Sequence, residues 1–98
     1  MLDDEESALL DEQEQALREA NQEAGIRALL STPIGRQYLF DFLYGCRVFS
    51  TVFNEAHATM AFYEGRRCVG LQLLADITKY APDLNELMMR ENNHRGMQ

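Results

Sequence analysis

The most distinctive polar cluster in this 98-residue chain is Glu64-Gly65-Arg66-Arg67. Adjacent arginines on a helix point about 100° apart, so at most one of them faces a neighbouring helix. A planar guanidinium binds a carboxylate through two parallel hydrogen bonds, and the cluster therefore suggests recognition of an acidic group on a partner. The alternative interpretation is a charged helix face that is only solvated.

Two further arginines, Arg36 and Arg47, are eleven residues apart and return to nearly the same side of a helix. With Arg66 or Arg67 they would form a basic strip. The chain has a net charge of −7 and a pI near 4.7, which oppose the binding of phosphates. We therefore do not expect direct binding of nucleic acid.

The residue types that enzymes use most are sparse in this sequence and lie far apart. His57 and His94 each lack a second ligand at metal-binding spacing. Cys46 and Cys68 form no CxxC pair, so we expect reduced thiols, with a contact between the two helices as the open alternative. The single lysine, Lys79, has no base or orienting group near it in sequence. These patterns predict no enzyme activity, no metal and no cofactor.

Negative charge is concentrated at the start of the chain. Residues 1–24 contain nine acids and one base, whereas the other 74 residues contain seven acids and eight bases. The composition favours a helix from about residue 5 to 30 that bends or breaks at Gly25, with a solvated and partly frayed arm as the alternative. Leu10, Leu17 and Ala24 repeat every seven residues and form a weak seam that suits a partner helix. An acidic arm of this kind is complementary to a basic surface, either on this chain or on another protein.

The segment after the acidic arm predicts a helix whose apolar surface is too large for one small chain to bury. Thr32 and Pro33 are typical of an N-cap and a first helical position, and the apolar pattern continues to Thr51. Six of the nine aromatic residues lie between Tyr38 and Phe53. A helix that is apolar around most of its circumference must be covered on several sides. We therefore expect part of this surface, including Phe42, to contact another chain.

Two more helices complete the predicted fold. The third runs from Asn54-Glu55 to about Tyr80 and contains Gly65 and Gly70, which suggest close approach of another backbone. The fourth starts at Pro82. The fold class is all-α: a small bundle built on an antiparallel helical hairpin, with a long acidic N-terminal helix and a short C-terminal helix. The predicted division is an acidic helical arm (1–25), a helical domain (26–91) and a flexible tail (92–98).

The middle of the chain resembles the small helical proteins encoded in the structural-gene clusters of short-tailed bacteriophages. The resemblance extends over about Ile26 to Arg90 and does not include the acidic arm. The motifs that carry it are Gly35-Arg36, the aromatic helix Leu39 to Phe49 with its cysteine, Phe62-Tyr63-Glu64-Gly65-Arg66-Arg67, Gly70-Leu71 with Leu73-Leu74, and Pro82.

The resemblance implies a role in the virion or in its assembly, and no catalysis. We expect a virion-associated structural protein, present in the host cytoplasm during assembly, that belongs to the interior or portal region and accompanies genome packaging or ejection. Its expected partners are other phage structural proteins and further copies of itself. The alternative is a non-virion regulator whose acidic helix blocks a nucleic-acid-binding partner. The candidate partner-binding residues are Arg36, Phe42, Arg47, Glu64, Gly65, Arg66, Arg67 and Gly70.

Overall fold

The computed structural model describes residues 3–50 and 56–92, and over these ranges it contains four helices and no strand. The helices are α1 (Asp4–Leu29), α2 (Pro33–Gly45), α3 (His57–Tyr80) and α4 (Pro82–Glu91). The predicted all-α class, with a long first helix and a short last one, is confirmed. No helix in the described part of the chain is long and apolar enough to span a membrane.

Helix α1 is long, acidic and almost entirely exposed. Its N-cap, Asp3, accepts a hydrogen bond from the Glu6 backbone N–H at 2.7 Å, and three acids in the first turn complement the positive end of the helix dipole. The helix continues through Gly25, so the predicted break does not occur. Every residue from 3 to 25 is exposed, and α1 enters the core only through Ile26 and the residue that follows its end, Leu30.

Helix α2 begins as predicted but ends early. Thr32 Oγ1 accepts a hydrogen bond from the Gly35 N–H at 3.0 Å, and Pro33 occupies the first helical position. The predicted end at Thr51 is wrong, because the helix stops at Gly45. The chain leaves the helix at Arg47, whose φ of 61° lies in the left-handed region.

Two backbone hydrogen bonds close the end of α2. The Val48 N–H donates to the Leu43 carbonyl at 3.2 Å, and the Arg47 N–H donates to the Tyr44 carbonyl at 3.0 Å. This is the Schellman arrangement, in which glycine usually occupies the left-handed position. Leu43 and Val48 are both buried, as the hydrophobic contact of that motif requires.

The core lies where α2 meets α3, α4 and the end of α1. Cys46 and Val48, which follow α2, lie against Gly70 in the middle of α3. A Cβ atom built on Gly70 would be 2.6 Å from Val48 Cγ2 and 2.7 Å from Cys46 Cβ, so the close approach predicted for this glycine is present. The fully packed residues are Leu30, Leu39, Phe40, Leu43, Cys46, Val48, Ile77, Ala81 and Met88.

Helices α3 and α4 meet at the predicted proline. Helix α3 ends at Tyr80, and α4 starts at Pro82 after the single residue Ala81. The first described residue of this region, Ala56, is the N-cap of α3 and makes no side-chain capping bond. The predicted cap, Asn54-Glu55, lies outside the described residues. So does the predicted tail, apart from its first residue, Asn92.

Candidate functional site

Arg36 is not part of an exposed basic strip, contrary to the sequence prediction. Its side chain is buried, with 7% of the residue exposed. Nε and Nη2 donate to the two carboxylate oxygens of Glu91, and Nη1 donates to the Leu30 carbonyl at 3.0 Å. The guanidinium therefore joins α2 to the end of α4 and to the end of α1, and it serves the fold.

This ion pair makes stability sensitive to acid. Hydrogen bonding and charge attraction from Arg36 lower the pKa of Glu91 below its usual range. A carboxyl group with a lowered folded-state pKa contributes stability that is complete above its unfolded pKa and is lost as the pH falls through its folded one. We therefore expect chemical unfolding to require less denaturant below about pH 4, and Glu91→Gln to flatten this dependence.

The matched control for the acid experiment is Glu86→Gln. Glu86 is an exposed carboxylate on the same helix, and its ion pair with Arg90 follows the i,i+4 spacing along that helix. Such surface pairs contribute little, so the control should keep the wild-type pH dependence. Equal flattening in both variants would contradict the structural role assigned to Arg36 and Glu91.

Arg47 and Arg66 belong to an arginine–aromatic cluster with Phe62 and Tyr63. The Arg47 guanidinium carbon lies 4.0 Å from the centre of the Tyr63 ring, and that of Arg66 lies 5.8 Å from the centre of the Phe62 ring. The two rings meet edge to face with their centres 5.5 Å apart. Stacking on aromatic faces holds each guanidinium in place while its N–H groups remain available for an anionic partner.

The other charged residues of the predicted motif differ in exposure. Glu64 and Arg66 are exposed, whereas Arg67 is half-buried. The Nε atom of Arg67 is buried and has no hydrogen-bond partner among the described residues. Within residues 3–50 and 56–92, none of the three takes part in an ion pair within 4.0 Å. Of the predicted arginine fork, Arg66 is therefore the member best placed to meet another chain.

Phe42 lies on an exposed apolar face of α2. It is 43% exposed, and Tyr38 and Ile34, one and two turns earlier, are 70% and 79% exposed. We call Ile34, Tyr38 and Phe42 the α2 ridge, because residues four apart share one helix face. Of this ridge, only Phe42 is among the residues predicted to bind a partner, although the four-residue spacing of all three is present in the sequence.

The apolar face of α3 is covered over only half of its length. Ile77 is buried, whereas Phe62 is 61% exposed and Val69 is 56% exposed. Gly65 lies between these two on the same face, and a Cβ atom built there meets no described atom within 4 Å. The close approach predicted for Gly65 is therefore absent in the part of the chain that the structure describes. We call Phe62, Gly65, Arg66 and Val69 the α3 face.

The two cysteines are free and differ in environment. Cys46 is buried against Gly70, whereas Cys68 is exposed. No group of three or more metal-ligating side chains comes together in the described part of the chain.

Comparison with known families places the chain among phage proteins. The sequence model described as "Bbp19-like phage protein" matches residues 26–90, about two thirds of the chain. The chain belongs to this family. The predicted resemblance to a family of small phage proteins is confirmed. No curated protein and no solved structure matches the chain.

The Bbp19-like region contains the α2 ridge and the α3 face but leaves out most of α1. Both exposed apolar surfaces therefore belong to the part of the chain that the family shares. The acidic arm lies outside it.

Proposed function

We propose that this Bbp19-like protein is a virion-associated structural or assembly protein that binds another virion protein through the α2 ridge. The observation that most strongly supports this proposal is the exposure of Ile34, Tyr38 and Phe42 in the folded chain. Membership of a phage family supports the proposal, because a small phage protein with an uncovered apolar face suits assembly into a larger particle.

The α2 ridge suits a protein partner for energetic reasons. Burying apolar surface contributes about 25 cal/mol per Å², and three large side chains in line offer a continuous strip to bury. Tyrosine is enriched at protein interfaces because its ring packs while its hydroxyl remains hydrogen-bonded. The opposite side of α2 carries Phe40 and Leu43 into this chain's own core, so α2 is placed between the core and the partner.

Within this proposal, the protein is an internal or portal-region component of a short-tailed phage that accompanies genome packaging or ejection. Its partners are other structural proteins of the particle, and its role is binding and not catalysis. The small size and the acidic arm support this placement, because the arm can dock on a basic neighbour.

Quantitative mass spectrometry of purified particles tests the proposal. We expect the wild-type protein in particles, and we expect Tyr38→Asp to reduce its copy number about tenfold or more, since a charge would be buried in the interface. Gln37→Asp is the matched control, because Gln37 is also exposed on α2 and points about 100° around the helix from Tyr38. Absence of the wild-type protein from particles, or equal loss of both variants, would overturn the proposal.

The alternative function, a non-virion regulator, draws support from the arm. Residues 3–25 are all exposed and lie outside the family match, which includes only the last four residues of α1. An acidic helix presented in this way can imitate the charge of nucleic acid and block a protein that binds it. Deleting residues 1–24 separates the two functions: a regulator loses its inhibition, whereas a virion protein that binds through α2 keeps its place in the particle.

A further inference from the structure

We infer that α1 of one copy docks antiparallel on the α3 face of a second copy, with Leu10 against Val69 and Leu17 against Phe62. This goes beyond the proposed function, because it concerns contacts between copies of this chain and uses neither the α2 ridge nor another virion protein. The observations that carry it are matched spacing, complementary charge and an uncovered glycine.

The two surfaces have the same apolar spacing. Leu10 and Leu17 are seven residues apart on α1 and are 48% and 61% exposed, and Phe62 and Val69 are seven residues apart on α3. Seven residues correspond to about 10 Å and two helical turns, so each pair lies on one helix face at the same separation. Two helices that carry such pairs can pack side by side and antiparallel, with Leu10 opposite Val69 and Leu17 opposite Phe62.

Opposite charges occupy the middle of the two surfaces. Glu14 lies four residues after Leu10 and three before Leu17, and Arg66 has the same position between Phe62 and Val69. When the two helices run antiparallel, Glu14 and Arg66 lie on the same flank of the contact at nearly the same height, and the Glu14 carboxylate meets the Arg66 guanidinium. Among residues 3–50 and 56–92, the ion pair of Glu14 is an exposed one with Arg18 at 3.8 Å, which contributes little and does not compete strongly.

Gly65 supplies the room that a docking helix needs. It lies beside Arg66 on the α3 face, and a Cβ atom built on it would meet no described atom within 4 Å. The residue at the equivalent position of α1 is Gln13, a long polar side chain. A glycine facing it allows the two backbones to come close without a clash.

The arm does not make this contact within its own chain. Tyr80 donates from its hydroxyl to Gln22 Oε1 at 3.1 Å, so α1 meets α3 near the end of α3, about 21 Å along the helix from Arg66. Gln22 is five residues after Leu17, which places the two side chains about 140° apart around α1. The seam that carries Leu17 therefore faces away from the chain's own core and is available to another copy.

The predicted contact is head-to-tail, because the arm of one copy meets a different surface of the next. Such heterologous contacts build rings when the rotation closes and filaments when it does not. Each copy then has both a donor arm and an acceptor face, so a twofold rotation gives a dimer with two exchanged arms and other rotations give larger rings or filaments.

Sedimentation velocity over a range of concentrations tests the inference with charge reversals. We expect wild-type protein to self-associate, and we expect Glu14→Arg and Arg66→Glu each to weaken association about tenfold or more. The double variant should regain it. An equal mixture of the two single variants should also associate, because a reversed arm then meets a reversed face while each unchanged arm meets an unchanged face.

Two controls change the same charge elsewhere on the surface. Glu86→Arg and Arg90→Glu alter exposed residues of α4 and should leave self-association unchanged. Monomeric wild-type protein at every concentration, or failure of both the double variant and the mixture to restore association, would overturn the inference. Incorporation into particles is a separate readout, so the proposed function can fail or hold independently of this result.

Discussion

Replacing Phe40 by alanine is expected to lower the free energy of unfolding by about 3–5 kcal/mol. The residue is 2% exposed, and its ring stacks on that of Phe49 with the centres 5.2 Å apart. Removing the ring leaves a cavity that the surrounding helices cannot fill. Because a domain of this size loses roughly 4–8 °C of melting temperature per kcal/mol, thermal and urea unfolding followed by circular dichroism should show a very large shift.

Phe42→Ala is the matched control, because it deletes the same side chain two residues later in the same helix. Phe42 is 43% exposed, so the loss should be about 1 kcal/mol or less. Folding of this variant should survive while its incorporation into particles falls, as for the other residues of the α2 ridge. Equal destabilisation by the two substitutions would contradict the assignment of Phe40 to the core and Phe42 to an interface.

The parts of the fold that the sequence predicted well depend on local signals. Thr32 and Pro33 fix the start of α2, and Pro82 separates α3 from α4, because caps and prolines act on backbone groups within a few residues. The excess of apolar surface on α2 was also predictable, because the sequence alone shows how many aromatic residues this segment has and how few other helices could cover them. Tyr38 and Phe42 are exposed as that count implied.

The parts that the sequence predicted badly depend on distant contacts. Arg36 is buried because Glu91, 55 residues later, supplies a carboxylate, and nothing near Arg36 in sequence signals this partner. Arg47 ends α2 in a conformation that usually takes glycine, and its guanidinium stacks on Tyr63 of another helix. Local propensity could not reveal either of these two contacts. The structure was therefore needed to separate the candidate residues that stabilise the fold from those that are exposed at the surface.

Replacing Gly70 by valine is expected to destabilise the fold by about 3 kcal/mol. The first added atom alone would lie 2.6 Å from Val48 Cγ2 and 2.7 Å from Cys46 Cβ, well inside van der Waals contact. Cys46 is held there by the Schellman turn at the end of α2, so the turn itself must move to make room. Urea unfolding monitored by circular dichroism measures the loss.

Gly65→Val is the matched control on the same helix, and it should change the free energy of unfolding by no more than about 0.5 kcal/mol. A side chain at Gly65 meets no described atom within 4 Å, and valine is a better helix former than glycine. The two glycines lie five residues apart on one helix, and local sequence patterns do not distinguish them. If valine is tolerated at Gly65 but not at Gly70, the difference comes from tertiary packing alone. Similar losses at both positions would contradict the packing of Cys46 and Val48 on Gly70 and the open surface at Gly65.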